Sequence, residues 1–223
     1  KEVVKLRSRK CRDSQKMFIV EGVRELSLAL KSYFILREVF YCKDLLDGNK
    51  QYLVEEAFKK GAKGFEVNKN IFSKIAYGER QEGILAIAEQ KRVSLNSLSL
   101  SKNPLIVVVE SLEKPGNLGA ILRSCDAAGA EALVACDAVT DIYNPNCIRA
   151  SLGAFFSIPV LEETSQNTIP WLKKNNFKIF LAMPDADIEY TKADFSGPSA
   201  IVLGSEDKGL SKEWLNEKST KIK

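Results

Sequence analysis

The stretch Leu105-Ile-Val-Val-Val-Glu-Ser-Leu-Glu-Lys-Pro-Gly-Asn-Leu-Gly-Ala-Ile-Leu-Arg123 decides how this chain folds. Its first five residues are an unbroken apolar run, the length of a strand and too short for a helix. Pro115-Gly116 reads as a turn. From Asn117 to Ala128 the apolar residues Ile121, Leu122, Cys125 and Ala128 recur at helical spacing, with Arg123 off the stripe. Asn117 is a good residue to cap that helix, and Gly119 leaves its first turn bare. A buried strand running into a helix is the repeating unit of a parallel sheet.

The same alternation extends outward in both directions. Downstream, strands are read at Ala132–Ala135, Ile158–Val160, Lys178–Ala182 and Ala200–Leu203. Helices are read from about Asn146, at Ile169–Lys174 and at Ser211–Glu217. Upstream, Phe18–Val20, Glu38–Tyr41, Gly64–Val67 and the continuously apolar Gly83–Ala88 are strands, interleaved with helices at 22–31 and 51–60. Residues 92–103 are rich in Ser and Asn and read as a linker, although Leu95, Leu98 and Leu100 give it a means of packing. The fold class is therefore α/β, with domains at 1–91 and 104–223 joined by 92–103. In such sheets ligands sit beyond the carboxyl ends of the strands, which selects loops 110–117, 182–187 and 204–211.

Composition removes whole classes of chemistry. The 223 residues contain no His, so Ser-His-Asp triads, Cys-His nucleophiles and His-ligated zinc are excluded. The five cysteines form no Cys-x-x-Cys pair, and buried reduced thiols in a cytoplasmic protein are expected, with no metal site. No apolar run approaches the roughly 18 residues of a membrane span, so no membrane partner is expected. The chain begins at Lys1 rather than Met and stops at Lys223, so residues missing from both ends are expected. The net charge of +4 is uneven: residues 1–24 hold eight Lys and Arg against three acidic residues. Such a basic front end points to a polyanion, and a solvated terminus is the plainer alternative.

Three segments carry candidate chemistry. In Glu113–Arg123 the helix start favours an anion, and a capped helix with a surface Arg is the plain reading. In Ile201-Val-Leu-Gly-Ser-Glu-Asp-Lys-Gly-Leu-Ser211, two glycines five apart follow a strand end. No Gly-Lys-Ser/Thr follows, so this is not a Walker loop, but its backbone N–H groups suit a nucleoside-like ligand. In Arg149-Ala-Ser-Leu-Gly-Ala-Phe-Phe156, Arg149 and Ser151 can touch phosphate or ribose, while Phe155 and Phe156 read as core.

Together the three segments resemble the SpoU/TrmH branch of the SPOUT RNA methyltransferases. The first motif, N-x-G-x-x-x-R, is met by Asn117, Gly119 and Arg123, with Gly129 following; the second, L-G-x-E-x-x-G, by Leu203, Gly204, Glu206 and Gly209. The R-A-S-x-G-A segment precedes I-P-V as in the family, and Phe18-Ile-Val-Glu-Gly22 is similar to a ribosomal-protein-like substrate-binding domain. Asp207 stands where the family usually has Gly, and the family's third motif would begin where this chain stops.

The resemblance implies a trefoil-knotted parallel-sheet domain at 104–223, S-adenosylmethionine as cofactor, and methylation of a ribose 2′-hydroxyl in structured RNA. Ribosomal RNA is the first choice of substrate and transfer RNA the second. It implies a homodimer, with Arg123, Asn117 and Glu206 as catalytic residues. Glu206 would hold the second loop or pair with an Arg, and Ala182, Leu203, Gly204, Gly209 and Leu210 would line the cofactor site. Arg7, Arg9, Lys10, Arg12, Arg149 and Ser151 would hold the RNA backbone. A guanidinium carries donors and no acceptor, so for Arg123 charge stabilisation and phosphate clamping are the conservative roles. Two other readings stand beside this one. The first is a non-catalytic RNA-binding or assembly factor on the same fold. The second is a nucleotide-dependent oxidoreductase, which lacks its glycine-rich first turn here.

Overall fold

A computed structural model describes residues 2–78 and 81–223 and divides the chain into two compact units. The first comprises residues 1–91 and 143–157, the second 92–142 and 158–223. The elements run α1 (Glu2–Lys5), α2 (Arg9–Gln15), β1 (Met17–Glu21), α3 (Val23–Lys31), β2 (Leu36–Tyr41), α4 (Tyr52–Lys59), β3 (Lys63–Glu66), α5 (Lys69–Ile75), β4 (Ile84–Glu89) and β5 (Leu105–Glu110). They continue with α6 (Pro115–Ala128), β6 (Ala132–Cys136), α7 (Pro145–Ala150), β7 (Val160–Glu163), α8 (Ser165–Lys174), β8 (Lys178–Ala182), β9 (Ser199–Leu203), α9 (Lys212–Leu215) and β10 (Thr220–Ile222).

The first unit is a four-stranded sheet in the order β1-β4-β2-β3. Only the β2–β3 pair is parallel; β4 runs antiparallel to both β1 and β2. The apolar run expected at 83–88 is β4, one of the two inner strands, buried along nearly its whole length. Residues 143–157, which sequence reading attached to the second half, cluster with this unit. Their Tyr143, Phe155 and Phe156 join Phe18 and Phe34 in one aromatic cluster, with ring centroids 4.8 Å apart for Phe18–Tyr143 and 5.6 Å for Phe34–Phe155. The Tyr143 hydroxyl donates to the Lys91 carbonyl at 2.6 Å and accepts from the Lys91 N–H at 2.9 Å. Phe155 and Phe156 are thus core residues, as their apolar neighbours indicate.

The second unit is a six-stranded, wholly parallel sheet in the order β10-β8-β9-β5-β6-β7. Strand β5 lies inside it, and Ile106–Glu110 are buried on both faces, which is why the segment reads as one apolar run. Each fully buried aliphatic side chain there contributes about 1.5–3 kcal/mol. One face carries Ile106, Val108, Val134 and Val202 against Leu172 of α8 and Trp214 of α9. Leu95 belongs to this core, and Val93, Leu98 and Leu100 pack on it, so the segment read as a linker is laid down on the second unit. Helix α6 packs against β6 through the buried Leu118, Leu122 and Cys125. The stripe is turned slightly from the expected one, for Ala128 is exposed.

Strand β10 is held from both sides. It pairs in parallel with β8, and the Met183 N–H donates to the Ile222 carbonyl at 2.8 Å. On its other flank the Lys223 N–H donates to the Ile188 carbonyl, and the Tyr190 N–H to the Lys223 carbonyl, both at 2.9 Å. The chain leaving β8 therefore bends round residues 221–223 and grips their far edge, with Ile222 buried.

Candidate active site

The site is built at the carboxyl ends of β5, β8 and β9. Helix α6 starts at Pro115, two residues earlier than expected, with Lys114 in the cap position. Proline at the first helical position has its fixed φ preorganised and lacks an N–H that would be unpaired there anyway. Asn117 is consequently the third helical residue and not the cap. Its side-chain amide is free of capping duty and donates to Glu206 Oε1. Lys114 Nζ donates to the other carboxylate oxygen of Glu206 at 2.5 Å. The two segments picked out in the sequence, 89 residues apart at Asn117 and Glu206, are thus joined through one carboxylate. Glu206 pairs with a lysine and an amide of its own unit, where an arginine partner was one expectation. The lysine pulls the Glu206 carboxyl below the usual carboxylate range, and the Lys114 ammonium is raised by the same contact.

The loop carrying Glu206 is a tight hairpin. Ser205 and Gly209 exchange two backbone bonds of 3.1 Å, and Ser205 Oγ accepts from the Lys208 N–H at 3.1 Å. Gly209 takes φ +64°, the left-handed value that favours glycine. Asp207, where the family usually has Gly, is not among the positive-φ residues, so the replacement costs no backbone strain. Gly204 is required by space: a Cβ there would lie 2.3 Å from Gly209 C and 2.5 Å from the Leu210 nitrogen.

Beneath the loop lies a buried polar network that sequence reading missed. Glu110, at the end of β5, accepts from the Ser211 N–H at 2.7 Å and from Ser165 Oγ at 3.2 Å. Trp214 Nε1 donates to Ser165 Oγ at 2.9 Å, and the Ser165 N–H donates to Asp137 Oδ2 at 2.9 Å. Glu110, Ser165 and Trp214 are all buried. A carboxylate ending the run Leu-Ile-Val-Val-Val-Glu was the available signal, because such a group demands buried donors. Glu110→Gln, which replaces one acceptor oxygen with a donor, is expected to lower unfolding free energy by about 1–3 kcal/mol. Denaturant titration measures this, and the amides of 204–211 are expected to exchange faster.

Arg123 lies on the exposed side of α6, and no hydrogen bond or ion pair to it is found among the described residues. The residues expected to line a cofactor site come together. Ala182 and Leu203 end the neighbouring strands β8 and β9, Gly204 follows, and the hairpin returns Gly209 and Leu210 beside them. The set offers backbone groups and small or apolar side chains, the chemistry that suits an adenosine. Burial pushes the Cys125 thiol up to about 11 and the Cys136 thiol up to about 12. No metal-holding group of His, Cys, Asp and Glu occurs among the described residues, and no helix there is long and apolar enough to cross a membrane.

The SpoU rRNA Methylase family matches residues 104–223, more than half the chain. This chain belongs to that family. The MRM3-like substrate binding domain matches residues 1–86. A Haemophilus influenzae relative, 23S rRNA (guanosine-2′-O-)-methyltransferase RlmB, is 30% identical over 182 residues, covering 78% of this chain and 74% of the relative. The Bacillus subtilis 23S rRNA (guanosine(2553)-2′-O)-methyltransferase RlmP is 25% identical over 217 residues, covering 97% of this chain and 83% of the relative. A crystal structure described as an RNA 2′-O ribose methyltransferase superposes with a TM-score of 0.83 at 33% identity, covering 100% of this chain and 85% of that one. An AdoMet-bound rRNA methyltransferase from Sinorhizobium meliloti shares the fold, with a TM-score of 0.89 at 24% identity, covering 100% and 84%.

Most residues expected to hold RNA are engaged within the first unit. Arg12 is buried, and its Nη1 donates to the carbonyls of Leu6 and Arg7, each at 2.8 Å. Ser151 is buried, and its hydroxyl donates to the Ile148 carbonyl at 2.7 Å. Both are corrections: each side chain turns inward to satisfy backbone carbonyls, out of reach of a phosphate. Arg7 closes the end of α5, donating to the Ala76 carbonyl at 2.7 Å and to that of Lys74 at 3.1 Å. Arg149 lies across Gly78 and lines a small cavity with Glu21, Glu25 and Glu82. Lys10 is exposed, as is Arg9, which stands 3.6 Å from Asp13.

Proposed function

We propose that this chain methylates a ribose 2′-hydroxyl of ribosomal RNA with S-adenosylmethionine as donor. The observation that carries the reading is the junction of Asn117 and Lys114 with Glu206, which sets the anion-favouring start of α6 beside the hairpin after β9 in a SpoU domain. Relatives named as 23S rRNA 2′-O-methyltransferases support the substrate class.

Bound S-adenosylmethionine supplies an electrophilic methyl group on a sulfonium. Ala182, Leu203, Gly204, Gly209 and Leu210 would hold it, chiefly through backbone groups. The difficulty left to the protein is the sugar hydroxyl, a weak nucleophile until its charge develops. Arg123 carries donors only, and with no partner among the described residues it is available to hold an RNA phosphate and stabilise the developing oxygen anion. Asn117 and Glu206 act as positioning residues, fixing the start of α6 to the hairpin. In this reading residues 1–91 bind substrate and 104–223 act on it.

A homodimer and a trefoil knot, both implied by the family resemblance, are part of the proposal. The grip of residues 183–190 on both edges of 221–223 supports a threaded backbone. The cytoplasm is the proposed compartment, in keeping with five free cysteines. Transfer RNA is the alternative substrate. The test incubates the full gene product with methyl-labelled donor and with ribosomal or transfer RNA from cells lacking the gene. Label recovered as a 2′-O-methyl nucleoside from ribosomal RNA is the expected result. RNA that binds and gains no label would instead assign an assembly factor.

A further inference from the structure

Resting on the reading of residues 1–91 as a substrate-binding domain, we propose that the β3 edge of the first sheet is the surface on which unpaired RNA bases stack. Strand β3 is one of the two edge strands, and all four of its residues are exposed. An exposed strand edge is usually blunted or covered, and this one carries aromatic rings on both faces. On one face Phe65 stacks on Phe40, with centroids 5.0 Å apart and planes 15° from parallel. On the other, the Phe58 ring occupies the space where a Gly64 Cβ would lie, 2.1 Å from its Cε1, and meets Tyr41 edge-on at 6.3 Å. Phe65 and Phe58 remain 41% and 42% exposed, far above what a core ring shows. Phe65 is stacked on its neighbour while two-fifths exposed, so a base reaching it meets a ring already oriented.

Charge selects the partner. Residues 59–74 hold five lysines and one carboxylate, Glu66. Glu66 is neutralised by Lys43 at 2.8 Å, and Lys60 is tied to the Leu30 carbonyl. Lys59, Lys63, Lys69 and Lys74 are exposed, with Lys59 next to Phe58 in the chain and Lys63 two residues before Phe65 on β3. Stacking rings set among cations are the means by which proteins hold single-stranded nucleic acid. At the front of the same unit Arg7 and Arg12 are turned to backbone carbonyls, and Lys5 and Arg9 stand beside Glu2 and Asp13.

The experiment measures binding of the full gene product to fluorescein-labelled single-stranded U12 and to a 12-base-pair RNA duplex. Phe65→Ala is expected to weaken U12 binding about tenfold with Phe65→Tyr near wild type. The Lys63→Glu, Lys69→Glu double variant is expected to weaken it further and flatten its salt dependence. Duplex binding is expected to respond to the charge reversal and little to Phe65→Ala, with unchanged thermal unfolding confirming intact folds. Wild-type failure to bind U12, or equal binding by all variants, overturns the proposal. Loss of self-association in Phe65→Ala with RNA binding intact also overturns it and assigns the edge to a second copy. A wild type that needs Phe65 to bind U12 yet transfers no methyl group keeps the stacking surface and sinks the methyltransferase reading.

Discussion

Arg123→Ala is expected to lower single-turnover methyl transfer by about two to three orders of magnitude at saturating RNA and donor. That is the cost of removing one preorganised donor from a developing anion. The side chain is exposed, so the substitution is expected to leave thermal unfolding and donor binding unchanged. This separates loss of chemistry from loss of fold. Arg123→Lys should recover little, because an ammonium cannot hold a phosphate and a sugar oxygen in one plane as a guanidinium does. Full turnover in the Lys variant would show that positive charge alone is enough, and the planar clamp would be wrong.

Gly204→Ala should fail in the opposite way. The added methyl would sit 2.3 Å from Gly209 C and 2.5 Å from its carbonyl oxygen. Those atoms are backbone, fixed by the paired bonds between Ser205 and Gly209 and by the Ser211–Glu110 bond behind them. Relief must therefore open the hairpin. Overpacking of this kind costs about 1–3 kcal/mol, or roughly 5 °C in a chain of this size. The larger effect is on donor binding, since Gly209 and Leu210 move with the loop: calorimetry is expected to show affinity reduced at least tenfold. Asp207→Gly is the matched control. That position is not among the positive-φ residues, so near-wild-type binding is expected.

Strands β5 and β6 of the second sheet were readable because each is buried on both faces and so written as a short apolar run. The site was readable only as two separate motifs. That Asn117 reaches Glu206 depends on where α6 begins, and Pro115 moved that start back and freed the amide. Glu110 was passed over as the polar end of a strand, its donors lying 55 and 101 residues away. Helices α1 and α2 were hidden by their charge, which suggested a solvated or RNA-bound terminus. The buried Arg12 satisfies carbonyls that no local pattern identifies. Strand β10 has three residues, and its state is set by partners at 180–182 and 188 rather than by its own composition.

The double-edged seating of residues 221–223 bears on how the protein is made. A ribosome releases residues 178–190 well before residue 220, yet the slot between them has no occupant until that later piece arrives. Maturation of this corner is therefore a late event in the protein's biogenesis. Either the bend at 183–190 stays open as synthesis proceeds, or the late piece slides in afterwards. In both cases non-local contacts of this type form slowly, so catalytic competence should lag behind the appearance of native-like helix and sheet in a refolding time course.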